Sequence, residues 1–347
     1  MFFPTREKKW RVFLSCLLFT TGIVIGFFAF SFAAIKNTVG PPVDLALLSK
    51  KTPSESRMYL GEMLRARGAR AVYQELKAQA AGSTVGENHG IAHALGEALY
   101  AEAGTRGIGV CDDAFEFGCY HGFFGSAVNT EGPSVVIKLN AACRATWGEK
   151  YLPCHHGIGH GIIAYTGVNR LIEALDLCKT ISSEPIGGCA SGVIMGYNFR
   201  NLNHSSTIEL RPIEESNPQL PCATVPREFL RSCYAEQPQW WLAVLGNDFK
   251  KIGVLCAEAP EEARDACFHG IGNFAAPAVQ FDVQGTRAAC DALPTAESRV
   301  QCREGASWIF LAQASTRERA PLLCQGLESG AATVCMQKII SNPFWRE

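Results

Sequence analysis

No long run of like charge interrupts this sequence. Lys and Arg number 32, Asp and Glu 33, and the formal net charge of the 347 residues is −1. Beyond a short basic N-terminus there is no cationic stretch, and phosphate binding needs a concentrated one, so nucleic acid is excluded as the expected partner. Catalytic signatures are missing as well. The chain has no G-x-S-x-G elbow, no H-E-x-x-H zincin motif, no C-x-x-C-H haem-attachment site and no nucleotide-binding motif. Paired cysteines at the C-x₂₋₄-C spacing of structural zinc sites are absent too.

Long apolar runs are missing with one exception. Residues 12–35 carry no charge and follow Arg6, Lys8, Lys9 and Arg11. About 24 residues suffice to cross a ~30 Å hydrocarbon core, and the positive flank belongs on the cytoplasmic side. The expected layout is a cytoplasmic N-terminus (1–11), a transmembrane signal-anchor (12–35), a linker (36–52) around Gly40-Pro41-Pro42 and an extracytoplasmic body (53–347). A cleaved signal peptide is the rival reading, because Ser31-Phe32-Ala33-Ala34 offers small residues to a peptidase. The apolar core of such peptides is only about 7–15 residues, which favours the anchor. Either way the body is expected in the periplasm, the exterior or a lumen.

What the sequence has in excess is cysteine, 15 in all. Fourteen fall into pairs: Cys111/Cys119, Cys143/Cys154, Cys178/Cys189, Cys222/Cys233, Cys256/Cys267, Cys290/Cys302 and Cys324/Cys335. Their separations are 8, 11, 11, 11, 11, 12 and 11 residues. The first members are 32, 35, 44, 34, 34 and 34 residues apart, and only Cys16, in the 12–35 run, is left over. The long step contains a polar, Pro-bearing stretch, residues 198–218, read as an inserted loop of about ten extra residues. A period near 34 with two helical segments per unit indicates a helical-hairpin solenoid. The first cysteine closes one helix, as in Leu177-Cys178, Leu255-Cys256 and Leu323-Cys324, and the second lies near the start of the next. Such a hairpin can bring the two Cβ atoms within disulfide reach. Seven separate pairs do not supply four-ligand zinc sites, so disulfides in an exported body are expected. Ahead of the cysteines, Pro53 onward reads as helix, with Tyr59, Leu60, Met63 and Leu64 on one face and Val72, Tyr73, Leu76 and Ala80 on another. Residues 82–88 read as a turn and His89–Ala103 as a further helix.

This pattern resembles the cysteine-rich Sel1-like and tetratricopeptide-like repeat proteins over roughly residues 69–340. The resemblance rests on period and cysteine placement, because the signature residues of those families are only faintly suggested by Ala94-Leu95-Gly96 and residues 101–109. It implies an all-α solenoid of stapled hairpins and a role in binding peptides or assembling other proteins. It carries over no active site.

A second pattern rides on the first. Cys119-Tyr120-His121-Gly122, Cys154-His155-His156-Gly157, Cys189-Ala190-Ser191-Gly192, Cys267-Phe268-His269-Gly270 and Cys302-Arg303-Glu304-Gly305 repeat one outline, and His89-Gly90-Ile91-Ala92-His93 is its cysteine-free form. Glycine inside a helix costs ~1 kcal/mol relative to Ala, so its recurrence argues for close backbone approach. His89, His121, His156 and His269 stand two residues after the second cysteine or its equivalent, and His93 and His160 four residues further on. Packing histidines explain this pattern in one reading. In the other, the i, i+4 pairs His89/His93 and His156/His160 are metal ligands, because that spacing puts two imidazoles on one helix face. Helices packed 8–10 Å apart place the two pairs ~20 Å apart on a straight stack. Two alternative clusters are therefore expected: His89, His93 and His121, or His121, His156 and His160. Imidazoles without a carboxylate suit Zn, Cu or Fe.

Glu87, Glu97, Asp112 and Asp113 are candidate outer-sphere or acid/base groups, though acidic residues near helix starts are ordinarily caps. Trp240-Trp241 reads as core, with a partner-binding anchor as the alternative. Asn203-His204-Ser205 fits a glycosylation sequon. The reading that follows is a membrane-anchored, exported binding or assembly module with a His-lined metal site and a protein or peptide partner. Its alternatives are a metal-dependent enzyme using the same histidines and a protein-binding solenoid in which they only pack.

Overall fold

The computed structural model describes residues 41–80, 88–112, 114–115, 117–181, 184–200, 209–313, 315–342 and 344–345. The 12–35 run with Cys16, Glu87, Asp113, the 203–205 sequon and most of the 82–88 turn lie outside these residues. Among the described residues no helix is long and apolar enough to cross a membrane.

The described chain is helical. A single turn, α1 (Leu45–Leu48), precedes α2 (Pro53–Arg67), α3 (Ala69–Ala80), α4 (His89–Ala103), α5 (Gly118–Glu131), α6 (Val135–Trp147), α7 (Leu152–Thr166), α8 (Leu171–Cys178) and α9 (Cys189–Asn198). A two-residue antiparallel pairing follows, β1 (Phe199–Arg200) with β2 (Glu209–Leu210). Then come α10 (Leu230–Leu245), α11 (Phe249–Ala257), α12 (Glu261–Ala278), α13 (Val283–Asp291), α14 (Ala296–Ala312) and α15 (Ser329–Ser341).

Local chemistry sets several of the helix starts. Thr52 caps α2 through the Glu55 amide, Glu55 returns the bond to the Thr52 amide, and Pro53 takes the first helical position. Asp248 and Asp282 cap α11 and α13 with their carboxylates, and Thr295 caps α14 through the Ser298 amide. Helix α7 is buried nearly all round (Cys154, His155, Gly157, Ile158, Gly159, His160, Gly161, Ile162, Ile163), as expected of an internal helix.

Helices α2, α4, α5, α7, α9, α10, α12 and α14 each pack on the next in that series. The shorter helices lie against them: α6 touches α5 and α7, α8 touches α7 and α9, α11 touches α10 and α12, and α13 touches α12 and α14.

Seven disulfides tie this arrangement together, and they join the cysteines in the pairs expected from spacing. Cys111 bonds Cys119, Cys143 bonds Cys154 and Cys178 bonds Cys189. Cys222 bonds Cys233, Cys256 bonds Cys267, Cys290 bonds Cys302 and Cys324 bonds Cys335. Cα–Cα distances are 5.5–5.8 Å throughout, within the range a disulfide requires. All fourteen of these cysteines are buried. The expected placement on two α-helices holds for Cys143 and Cys154, which lie on α6 and α7, and for Cys178 and Cys189, which end α8 and open α9. It holds again for Cys256 with Cys267 and for Cys290 with Cys302. Three units depart from it. The segment before Cys111 is a 3₁₀ stretch, Gly104–Val110, and Cys324 ends another, Arg317–Cys324, with Pro321 inside it, while Cys335 does lie on α15. Cys222 follows Pro221 in the turn that closes the insertion, so only its partner Cys233, on α10, is helical. Proline has no amide hydrogen to donate and resists continuation of an α-helix, which accounts for the irregular first arm at Cys222 and Cys324.

The recurrent glycines are helix-contact residues except Gly90, which has nothing within 4 Å of where its Cβ would be. A Cβ at Gly122 on α5 would lie 2.0 Å from the His93 carbonyl oxygen on α4. Reciprocally, a Cβ at Gly96 on α4 would lie 2.0 Å from the Cys119 oxygen on α5. The same two-way contact joins α7 to α9 through Gly159 and Gly192, and α12 to α14 through Gly272 and Gly305. Without side chains at these points the backbones come close enough for Cα–H···O contact.

The insertion between α9 and α10 is anchored rather than simply solvated where it is described. Arg211 is buried, donates from Nε to Asn198 Oδ1 at 3.0 Å and from Nη2 to the Leu220 carbonyl at 2.6 Å, and lies 3.7 Å over the Trp240 ring. Trp240 and Trp241 are fully buried, and their indole N–H groups donate to the carbonyls of Arg211 (2.7 Å) and Pro218 (3.0 Å). They form core, so a partner-binding anchor is not available at that place.

The series does not run straight. Lys150 Nζ lies 5.5 Å from the Phe344 ring centre, and Trp308 stands beside Gly187 and Leu152, so the C-terminal helices return toward residues 150–187.

Candidate metal centre

Helices α4, α5 and α7 bring five imidazoles into one continuous cluster. Ring centres are 4.6 Å apart for His89/His93, 5.4 Å for His89/His121 and 5.3 Å for His93/His121. The series continues through His121/His160 at 4.7 Å and His156/His160 at 4.9 Å. Because the His93 and His160 rings both touch that of His121, they are at most 10 Å apart. The ~20 Å of a straight stack is thus corrected: the close Gly-mediated packing and the curvature let side chains from alternate helices converge.

One nitrogen from each of His89, His93 and His121 can be chosen so that all three lie within 4.8 Å of one another, and among the described residues no carboxylate or cysteine joins the group. Imidazole nitrogens on one tetrahedral ion, with bonds of about 2.0–2.1 Å, stand roughly 3.3 Å apart. Small side-chain rotations therefore suffice to close the trio on an ion. The alternative trio, His121, His156 and His160, does not gather its nitrogens within that distance. All the cysteines of the described chain are committed to disulfides, so none is free to add a thiolate.

Two features around the trio suit ligation. His89 Nδ1 is 2.6 Å from the Phe115 carbonyl oxygen. A carbonyl only accepts, so Nδ1 carries a proton, and the ring turns its Nε2 edge to His93 Nε2, 2.9 Å away. This is the outer hydrogen bond that fixes the tautomer of metal-binding histidines. The carbonyl is delivered by the short Cys111–Cys119 loop, in which Phe115 and Phe117 adopt left-handed backbone (φ 58° and 61°), a costly conformation for non-glycine residues. The second feature is space. Gly125 lies four residues beyond His121, at the repeat place that holds His93 on α4 and His160 on α7. Nothing lies within 4 Å of where its Cβ would be.

Electrostatics keep three of the five rings, those of His121, His156 and His160, neutral. Burial holds His121 well below the usual imidazole range, and the neighbouring His160, His93, His89 and His156 add to this by mutual repulsion of protonated rings. His160 is lowered in the same way, and burial brings His156 down to about 4. Neutral imidazoles offer lone pairs, the form a metal requires.

The remaining candidates are engaged elsewhere. Asp112 accepts from Tyr73 Oη and from Lys77 Nζ, both at 2.5 Å. Glu97 pairs with Arg57 at 3.6 Å. His155 packs on Tyr151 and contacts Asn140 Oδ1 at 2.8 Å through Nε2. His269 lies apart, in a cavity of about 670 Å³ shared with Arg231, Asp265, Glu304, Trp308 and Lys338. Sequence reasoning missed the Phe115 carbonyl, which as backbone leaves no mark in a motif. It also missed Met195, whose sulfur is 3.3 Å from His156 Nε2. The available signal was its place six residues after Cys189, equivalent to that of His160 after Cys154.

Comparison with family models, with curated proteins and with solved structures finds no match for this chain.

Proposed function

We propose that the protein is a membrane-anchored, exported helical-repeat binding or assembly module that holds one transition-metal ion, Zn, Cu or Fe, on His89, His93 and His121. The observation that carries the metal reading is the gathering of three ligand nitrogens within 4.8 Å, with His89 held in the ligating tautomer by Phe115. The consecutive packing of the long helices, each unit stapled by a disulfide, supports the hairpin-solenoid reading and its implied peptide or protein partner. Seven disulfides support an oxidising compartment, and the residue 12–35 run supports the anchor. Among the described residues no carboxylate stands with the trio, where a hydrolytic role would place a general base.

The test is metal analysis of the full-length chain purified in detergent without chelator. One equivalent of a transition metal is expected, lost in His93→Gln and in His121→Gln while each variant still melts cooperatively. Less than about 0.1 equivalent, unchanged by either substitution, sinks the reading.

A further inference from the structure

A second donor set adjoins the trio on the α7 side. His156 Nε2 stands 3.3 Å from the Met195 sulfur, and the His156 and His160 rings are 4.9 Å apart. His160 Nδ1 faces the same stretch of α9: a Cβ at Gly196, the residue after Met195, would lie 3.4 Å from it. Met195 also occupies the repeat place that His93 and His160 occupy on α4 and α7. Helix α9 thus continues the donor series with sulfur in place of nitrogen.

We propose that Met195, His156 and His160 form a binding site for a cuprous ion, joined to the first site by His121. The inference rests on the reading of the histidine cluster as a metal centre and assigns the half of the cluster that the trio leaves unused. A thioether is a soft, neutral donor that selects Cu(I) over Zn²⁺ and the harder divalent ions. Charge points the same way. All three donors are neutral, and the Born cost of a buried ion rises with the square of its charge, so a singly charged ion is tolerated where a doubly charged one needs an anionic ligand. Apolar groups flank the site: Ile163 lies against Gly196 and the Phe124 ring against Gly157, while His156 and Met195 are themselves half-buried. Two sites bridged by His121, whose ring is 4.7 Å from that of His160, would let one ion pass between them without leaving the imidazole lining.

The experiment is an anaerobic titration of the full-length chain with Cu(I) against bicinchoninate, with a parallel Zn²⁺ titration and X-ray absorption at the copper edge. The wild-type chain is expected to take two equivalents of Cu(I) but one of Zn²⁺, with a sulfur neighbour in the copper spectrum. Met195→Leu, which conserves volume and should fold, is expected to lose the sulfur neighbour and weaken one Cu(I) equivalent by at least about tenfold, leaving Zn²⁺ untouched. His93→Gln is expected to do the reverse, losing Zn²⁺ and keeping sulfur-bound copper. Copper without a sulfur neighbour in wild type, or unchanged Cu(I) affinity in Met195→Leu, overturns this proposal while leaving the trio standing. Sulfur-bound copper in a chain that never takes Zn²⁺ or metal at His93 overturns the trio and leaves this site standing.

Discussion

At the residue scale, the glycines and a buried glutamate carry the sharpest expectations. Gly122 and Gly90 hold the same place in their units, yet one abuts the His93 carbonyl and the other faces open space. Gly122→Ala should therefore force α4 and α5 apart and destabilise by about 1–3 kcal/mol. Gly90→Ala should stabilise by up to ~1 kcal/mol through helix propensity alone. Denaturant midpoints of the two variants check both signs. Glu236 is fully buried on α10, with one side-chain hydrogen bond, to Ser191, and its other oxygen unmatched, and burial raises its pKa from 4.5 to about 8. The folded state thus holds a proton that the unfolded state releases above pH 4.5. Stability from this group is full below that pH and falls by about 1.4 kcal/mol per unit until pH 8. Glu236→Gln should abolish that fall, as read from chemical denaturation between pH 6 and 9.

At the scale of elements, the Cys111–Cys119 loop differs in kind from the other staples. Its eight-residue span, with two left-handed phenylalanine positions, aims a carbonyl at His89. Removing this disulfide as Cys111→Ser/Cys119→Ser should weaken metal binding by roughly 10–100-fold, the usual effect of losing an outer-sphere partner. The distant Cys324→Ser/Cys335→Ser pair should lower stability by about 3 kcal/mol on the chain-entropy estimate and leave metal affinity unchanged. Competition titration with a zinc chelator distinguishes the two. Equal effects on affinity would show that the first loop acts only through global stability.

At the scale of the whole molecule, buried neutral histidines set an acid limit. His155, His156 and His269 are brought down to about 4 by burial. The unfolded chain protonates them near pH 6.5, so the metal-free protein should lose stability as pH falls from 6.5 toward 4. With Glu236 losing stability as pH rises over the same range, the summed contribution of these four groups peaks near pH 6.5. A bound ion adds to the folded state by mass action, about 2.7 kcal/mol at 100 times its Kd. Chelation of the zinc-loaded chain should therefore lower the melting temperature of wild type but not of His93→Gln. An unchanged wild-type melt with chelator would mean that no ion is held.

Much of this molecule was legible in one dimension. Cysteine spacing is enough to pair all fourteen residues, from Cys111 with Cys119 to Cys324 with Cys335, because an 11-residue hairpin brings only its own two ends within disulfide reach. The histidine and glycine periodicity marks the internal helices, since position along a helix dictates which face a side chain shares. His89–Ala103 was readable to the residue from its flanking turn and apolar stripe. What periodicity cannot supply is the relation between units. The curvature of the series, the 2.0 Å approaches that only glycine permits, and the convergence of rings from α4, α5 and α7 arise from packing summed over many helices. A one-dimensional repeat treats those units as a straight stack, which set His93 and His160 ~20 Å apart. Tertiary packing alone decided that their rings meet through His121, that Phe115 supplies the orienting carbonyl, and that Met195 stands where the next histidine of the series would be.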